Sequence, residues 1–366
     1  MIFGTFVGGM ADKYGRKVMC LMYCFCYIVA CLTKLVNHYW LLMVGRFLSG
    51  IATSLLFSAF ESWMVCEHHK QGFDSSLLGE TFSYATLGNG VVAVLAGLVA
   101  NFAADTYGFV APFVIALVPL CAVAFLASNS WSENYGNQST PMMSSLIAGF
   151  NLIRNDPRIA ALGMAQSCFE GAMYTFVFMW TPALKTPFEL ASEASGEATG
   201  MESTADYLGL IFATYMVCVM IGSTLFQLFS FSKQNLYKIP LVMHAVACGA
   251  MFITSISVGS APTTVFVMFL LFETCVGVFY PAYGCIKSEK IPEDIRSAVM
   301  NIFRIPLNLF VLILLMKIKY FSSESVFMIC AVAHGISFLC YGYFYSASKE
   351  GATTAYEMVG SRDEMV

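Results

Sequence analysis

Residues 8–17 read Gly8-Gly9-Met10-Ala11-Asp12-Lys13-Tyr14-Gly15-Arg16-Lys17, a short turn that is rich in glycine and positive charge. An apolar, glycine-rich segment precedes this turn, and the apolar run Val18–Val36 follows it directly. Glycines allow the chain to turn tightly between adjacent helices, and basic residues favour the inner surface of a membrane. The ten residues therefore predict a turn between two membrane-spanning helices, of which we expect the first to be incomplete in this chain.

The composition of the whole chain agrees with a membrane protein. Of 366 residues, 58% are apolar and only 11% are charged, and the mean hydropathy is +0.70. Soluble domains are about 45–50% apolar and about 25% charged. The balance excludes a soluble enzyme, a disordered chain and a small disulfide-rich secreted domain. The net charge of −4 gives no electrostatic reason to expect nucleic-acid binding.

Ten stretches are long and apolar enough for a membrane-spanning helix, which needs about 20 mostly apolar residues. They are Val18–Val36, Trp40–Cys66, Phe82–Phe102, Phe109–Ala127, Ile159–Trp180, Tyr207–Phe229, Ile239–Val258, Thr264–Cys285, Ala298–Met316 and Ser325–Phe344. A polar segment, 128–157, separates the first four from the last six. A second, acidic segment spans Lys185–Asp206, and we read it as a solvated loop that can be helical in part.

The basic residues are distributed unevenly between the two sets of loops. Of the 19 lysines and arginines, thirteen fall on one side, including Lys13, Arg154 and Lys238, four fall on the other side, and two lie within spans. Loops rich in Lys and Arg stay in the cytosol. This bias places the Lys13 turn, the segment 128–157 and the C-terminus inside, so the acidic segment 185–206 faces outward.

The turn at residues 8–17 resembles the signature loop of the major facilitator superfamily. That signature is a glycine, three residues, an aspartate, a basic residue, one residue, a glycine and two basic residues; Gly8, Asp12, Gly15, Arg16 and Lys17 match it. In that superfamily the loop joins helices 2 and 3 and takes part in the conformational change. A simple cytosolic loop would explain the charges, but not the glycines and the aspartate at this spacing.

The resemblance implies that the ten spans are helices 3 to 12 of a carrier with two six-helix bundles, and that helix 1 and most of helix 2 are missing from this chain. We therefore expect an all-α polytopic membrane protein with the major facilitator fold. Its parts would be an N-terminal bundle at 1–127, a cytosolic connection at 128–157, a C-terminal bundle at 158–346 and a cytosolic tail at 347–366. Such carriers rock around a site near the middle of the membrane.

Further blocks narrow the resemblance to one branch of the superfamily. The blocks are Gly45-Arg46-Phe47-Leu48-Ser49-Gly50, Phe60-Glu61-Ser62-Trp63-Met64, Glu67-His68-His69 and Met300-Asn301-Ile302-Phe303-Arg304-Ile305-Pro306-Leu307-Asn308. They are similar to the molybdate-anion transporter branch. Membership would imply uptake of molybdate, a small inorganic anion, across the lipid bilayer of the plasma membrane. Composition and spacing do not indicate that substrate.

Five ionisable residues lie inside predicted spans, namely Arg46, Glu61, Glu170, Glu273 and Arg304. Such residues are costly in hydrocarbon and face the interior of a bundle, which makes them candidates for function. With a rise of 1.5 Å per residue, Glu170 and Glu273 lie roughly 16 and 13 Å into their spans, and Arg304 roughly 9 Å. The resemblance implies that helices 4, 7 and 10, which carry four of these residues, line the central cavity.

These residues suggest how an oxyanion would be bound. A tetrahedral oxyanion needs a fixed positive charge, which arginine supplies, and hydrogen-bond donors, which asparagine amides supply. We expect Arg304, Asn301 and Asn308 to bind the substrate, together with Arg46. Glu170 or Glu273 would hold the arginine when the site is empty and carry a proton, and Glu61 would act in gating or in proton coupling.

Structural roles for the same residues stay open. Arg304 with Glu273, or Arg46 with Glu61, would form static ion pairs between helices, and Arg46 would alternatively reach the outer headgroups. Two further functions also remain: a facilitator-type carrier for a sugar or another organic solute, and a non-transporting membrane receptor. We expect no catalytic residues, no metal site and no cofactor, because no nucleotide-binding loop, zinc spacing or hydrolase triad is readable.

Overall fold

A computed structural model of the chain describes residues 10–11, 13–75, 77–136, 142–195, 201–230 and 232–363. Within these ranges the chain forms helices and connecting turns, without strands. The α-helices, numbered here in chain order, are α1 Arg16–Thr33, α2 Tyr39–Leu56, α3 Ala59–Lys70, α4 Leu77–Tyr107, α5 Ala111–Ile115, α6 Leu117–Ser130, α7 Met142–Asn155, α8 Pro157–Ser195, α9 Met201–Phe229, α10 Lys233–Ser257, α11 Pro262–Lys290, α12 Arg296–Lys317 and α13 Ser323–Asp363. Short 3₁₀ turns, Glu293–Ile295 and Ile318–Tyr320, flank α12.

Nine helical stretches in the described part of the chain are long and apolar enough to cross a membrane. They correspond to nine of the ten predicted spans. The remaining span, predicted at Ile159–Trp180, is the first part of the 39-residue helix α8. Gln166, Ser167 and Glu170 make this helix more polar than the others, and all three side chains are buried. Its polarity is therefore turned inward, as expected of a helix that lines the interior of a bundle.

The chain divides into two compact units, and the first comprises Met1–Leu152 with Lys287–Ile305. In this unit α1 packs against α2, α3 and α6. Small buried side chains, Cys20 of α1 and Ala59 of α3 among them, form its core, and Trp131 packs on the outside of that core. Gly45 of α2 faces Thr33 at the end of α1 so closely that any Cβ at this position would overlap the threonine side chain.

The second unit comprises Ile153–Ile286 with Pro306–Val366, and its centre is aromatic. Helix α13 packs against both α8 and α10. Phe169 of α8 stacks on Phe279 of α11, with ring centroids 4.3 Å apart. Helices α9 and α11 approach each other most closely at Gly222 and Gly277, where a Cβ on either glycine would overlap backbone atoms of the other helix.

Several elements differ from their predicted form. The span predicted as Trp40–Cys66 is broken between α2 and α3, and the one predicted as Phe109–Ala127 is broken between α5 and α6. The segment 128–157 contains helix α7, and α8 continues through Ser195 into the acidic segment, where we expected a loop that can be helical in part. The backbone of the expected tail is helical as far as Asp363. The first unit also includes 287–305, which the predicted boundaries assigned to the C-terminal bundle.

Candidate functional site

Gly15 of the signature turn has a backbone conformation that suits only glycine. Its φ angle is +110°, and it stands directly before α1 as the N-cap. The carboxylate of Glu133 accepts hydrogen bonds from the amides of Lys17 and Val18, at 2.8 and 3.2 Å. Because these amides lie in the first turn of α1 and lack partners within the helix, Glu133 supplies the cap that Gly15 cannot. A negative charge is also favourable at this end of the helix.

Arg16 is completely buried rather than placed at the membrane surface. Its guanidinium donates to the backbone carbonyl of Ser62 at 3.1 Å and to that of Glu293 at 2.7 Å, and it lies 3.6 Å from the carboxylate of Glu293. The Lys17 ammonium donates to the backbone carbonyls of Ser128, in the last turn of α6, and of Trp131, just after it. Protein oxygens therefore bind both of these charges. Gly8 and Asp12, the other predicted residues of the turn, lie outside the described residues.

A second buried arginine, Arg296, lies at the start of α12 and was missed by the sequence analysis. It donates to the carbonyls of Ser288 and Ile291, each at 3.1 Å. Burial lowers the pKa of this guanidinium, and the charge of Arg16 adds to the effect, while Glu293 and Glu61 oppose it. The sequence around Glu293 and Arg296 is charged and directly follows Pro292, a pattern typical of an exposed loop, so it does not indicate burial.

Glu61 forms an ion pair with Lys287 within the first unit. The carboxylate oxygen Oε1 and the ammonium are 3.2 Å apart, and the lysine side chain is only 8% exposed. The alternative pairing of Glu61 with Arg46 is therefore not the one observed. Glu61 joins α3 to the end of α11, next to the contact that joins Arg16 to Glu293. Both predicted cytosolic elements, the signature turn and Glu61, thus belong to one buried electrostatic cluster.

Arg304 lies in the same unit, beside the break between α2 and α3. Phe57 and Ser58 fall between the two helices, and Ser58 donates its hydroxyl back to the carbonyl of Ser54 at 2.8 Å. The Arg304 guanidinium lies over the Phe57 ring, 4.2 Å from its centroid, and the residue is only 9% exposed. A buried cation against an aromatic face is stabilised by the ring quadrupole.

The other residues predicted to bind the substrate are Asn301, Arg46 and Asn308, and only Asn301 lies on the helix turn next to Arg304 in the first unit. Asn301 is buried on α12, one turn before Arg304, and its neighbour Met300 accepts a hydrogen bond from Ser62 of α3. Arg46 is exposed on α2. Asn308 is on α12 as well, but it belongs to the second unit. The structure thus brings Asn301 and Arg304 together on one helix turn, against the α2–α3 break.

Glu170 and Glu273 are both buried in the second unit, at 5% and 6% exposure. Gln166, one turn earlier on α8, donates its amide to the Glu170 carboxylate at 2.8 Å. The hydroxyl of Tyr215 is buried without a hydrogen-bond partner among the described residues. These carboxylates are in the interior of their unit rather than toward lipid, as an ionisable residue in a membrane segment requires.

A buried polar chain, missed by the sequence analysis, lies near Glu170. His244 contacts the Tyr283 hydroxyl at 2.8 Å through Nε2 and the Ser337 hydroxyl at 3.0 Å through Nδ1. Ser337 donates to the carbonyl of Ala165 at 2.6 Å, which favours the tautomer in which Nδ1 carries the proton. Both ring nitrogens of His244 thus have partners, whereas neither ring nitrogen of His334 has a hydrogen-bond partner in the described part of the chain.

The sequence of this chain is similar to those of known membrane transporters. A family model of the major facilitator superfamily, described as sugar transporters with 12 transmembrane helices, matches residues 1–278. The molybdate-anion transporter of Xenopus tropicalis is 31% identical over 346 residues, which covers 90% of this chain and 72% of the relative. The molybdate-anion transporter of Danio rerio is also 31% identical, over 84% of this chain and 67% of its own length.

The chain belongs to the molybdate-anion transporter family of the major facilitator superfamily. It is therefore a multi-pass membrane protein of a transporter family and not an enzyme. The fold class and the family expected from residues 8–17 and from the blocks around Arg46, Glu61 and Arg304 are confirmed.

Solved structures show the same fold. The fucose:proton symporter of Escherichia coli superimposes with a TM-score of 0.68 at 16% identity, over 94% of this chain and 87% of that one. A bacterial homologue of the iron transporter ferroportin, in an outward-facing state, gives a TM-score of 0.69 at 15% identity, over 94% and 88% of the two chains. At this identity the likeness establishes the architecture and leaves the substrate to other arguments.

Proposed function

We propose that this protein carries a small oxyanion, molybdate, across the plasma membrane by alternating access. The names of its relatives support the substrate, and one observation within the chain carries the proposal. Arg304 is a buried cation in a membrane-spanning helix, held against Phe57 at a break between two helices. A permanent positive charge in such a position is expensive, and a transported anion would give it a function.

The chemistry of the pair formed by Arg304 and Asn301 suits a tetrahedral oxyanion. The guanidinium cannot lose its proton, so it stays charged at any physiological pH. Asn301 contributes an amide with two donors on the preceding turn. Asn308 and Arg46 would complete the binding site in a state that brings them to the anion.

The buried carboxylates would couple and gate the movement. Glu170 and Glu273, both buried in the interior of the second unit, would carry a proton, and a single proton would change the charge there. Glu61 would act as a gate through its pairing with Lys287. The signature residues Gly15, Arg16 and Lys17, with Gly8 and Asp12, would control the same movement at the cytosolic end.

Uptake of radiolabelled molybdate into cells that express the protein tests the proposal. Arg304→Ala should reduce uptake to background, and Arg304→Lys should reduce it strongly, because lysine keeps the charge but loses the planar set of donors. Arg158→Ala is the matched control, since it removes an exposed arginine outside the spans. Equal uptake by the wild type and both Arg304 variants, at equal surface expression, would refute the assignment of an anion site.

A sugar or another organic solute is the second candidate. The description of the matching family model favours it, and the buried carboxylates Glu170 and Glu273 would suit proton-coupled sugar transport. Competition separates the two candidates. If the substrate is an oxyanion, tungstate or sulfate should inhibit molybdate uptake, and monosaccharides should have no effect. Binding of molybdate without counterflow would instead indicate a receptor.

A further inference from the structure

The second unit contains an apolar groove between α9, α10 and α11. Its cavity volume is about 460 Å³. Phe226, Met243 and Cys275 are buried and form its floor. Val242 and Phe229, at 63% and 56% exposure, form its rims. The groove therefore opens sideways from the helices, toward the region that lipid occupies around a membrane protein.

The walls of this groove are fixed by glycine contacts. Gly222 of α9 and Gly277 of α11 touch backbone to backbone, close to the lining residues Leu225 and Val278. Small residues allow membrane helices to approach so closely. Helices α9 and α11 therefore form one close-packed wall of the groove, and α10 forms the other.

Polar groups lie almost entirely at one end of the groove. Asn235 and Lys238, in the first two turns of α10, line that end. The Asn235 amide is already bonded to the carbonyl of Phe229 at 3.1 Å, and Thr274, deeper in the groove, donates to its own helix. Lys238 is exposed, and no described carboxylate forms an ion pair with it. The groove thus has an apolar length and a single positive end, which the distribution of basic residues places at the cytosolic side.

We propose that this groove binds an anionic phospholipid of the inner leaflet, with an acyl chain along the groove and the headgroup phosphate at Lys238. The groove is long enough for part of an acyl chain, because its lining runs about 12 Å along α10, from Lys238 to Val246. Basic pockets between membrane helices on the cytoplasmic side suit anionic headgroups.

The binding is measured by native mass spectrometry on delipidated protein titrated with phosphatidylserine or phosphatidylcholine. We expect one phosphatidylserine to bind more tightly than phosphatidylcholine. Lys238→Ala should weaken phosphatidylserine binding about fivefold, the effect of one basic residue near anionic lipid. Lys70→Ala, which removes an exposed lysine in the first unit, is the matched control and should leave the affinity within about twofold.

A second variant tests the apolar part of the groove. Val242→Trp places a large side chain on the rim and should reduce the binding of both lipids, while the melting temperature remains that of the wild type. Equal affinity for the two lipids, or no effect of Lys238→Ala, would overturn the proposal. Competition by soluble glycerophosphoserine at the concentration of the intact lipid would also overturn the proposal, because it indicates a site for the headgroup alone. A dimer that Val242→Trp dissociates would overturn it as well, because it indicates a protein interface.

Discussion

Gly15 lies so close to Glu133 that a Cβ built on the glycine would stand 2.5 Å from the carboxyl carbon of the glutamate. The signature turn and the end of α6 are therefore fitted to each other. The same carboxylate caps the first turn of α1. Two constraints therefore require glycine at this position: its positive φ angle and the close approach of the Glu133 carboxylate.

Gly15→Ala should destabilise the protein by about 1–3 kcal/mol, the cost of a strained backbone position, and by more if Glu133 is displaced from α1. Thermal unfolding of the purified protein in detergent measures this effect. Gly72→Ala is the control, since Gly72 shares a positive φ but has open space around it. In the double variant with Glu133→Ala the two losses should not add, and strict additivity would contradict the fitted contact.

Phe57→Leu should weaken the apparent affinity for the transported anion while the protein keeps its fold. The ring stabilises the Arg304 guanidinium by roughly 0.5–2 kcal/mol, so KM should rise between about twofold and thirtyfold. Uptake measured over a range of molybdate concentrations gives this value. Phe102→Leu alters a phenylalanine that is 67% exposed and should leave KM unchanged; an equal shift in both variants would argue against a specific role of Phe57.

Glu61→Gln should leave the buried ammonium of Lys287 without its counter-charge and lower the stability by about 2–3 kcal/mol, since the carboxylate keeps some exposure. The melting temperature should therefore fall. The charge exchange Glu61→Lys with Lys287→Glu should recover part of this loss. If the exchanged variant is less stable than either single variant, the ion pair is not the reason for the effect.

Asp156 should make the stability depend on pH. Hydrogen bonds from the Arg158 side chain, then its backbone amide, hold the pKa of this carboxyl below its ordinary value. Because the pKa is lower in the folded protein, the stabilisation is present at neutral pH and is lost as the pH falls through the folded-state value. Asp156→Ala should reduce the free energy of unfolding at pH 7 by about 1 kcal/mol, the cost of a lost helix cap, and so lower the melting temperature. At a pH below the ordinary aspartate range this difference should disappear, and a constant difference would exclude titration of Asp156 as its cause.

Gly277→Ala should disrupt the contact between α9 and α11. The added methyl group would overlap the backbone of Val219, which cannot rotate away as a side chain can. We expect a loss at the upper end of the 1–3 kcal/mol that overpacking typically costs, about 3 kcal/mol. Gly97→Ala, in a membrane helix with open space at this position, should be nearly neutral, and a similar melting temperature for both variants would refute the close contact.

The sequence predicted the helices well, because each has to span a layer of nearly constant thickness with apolar residues. It did not predict the break at Phe57 and Ser58. No proline or glycine stands there, so the local signals for a helix end were missing. At the break, Arg304 packs on Phe57 and the Ser58 hydroxyl donates to the Ser54 carbonyl. These contacts depend on the folded structure and have no local sequence signal.

The sequence predicted which polar residues of the candidate site are buried, but not which residues they contact. Polar residues inside spans pointed correctly to Glu170, Glu273 and Arg304 as buried groups. The contacts of Arg16 with Glu293, and of Glu61 with Lys287, join residues far apart in the chain. A spacing rule describes neighbours on one helix and carries no information about such long-range pairs.

Because Arg16 is buried, its side chain has one role while the chain is inserted into the membrane and another in the folded protein. While the chain is being inserted, its charge belongs to the bias that retains the turn in the cytosol. After folding, the same charge is enclosed and holds two distant carbonyl groups. A neutral replacement would therefore change both the insertion of the nascent chain and the architecture of the mature protein, and an assay of topology alone would report only the first of these.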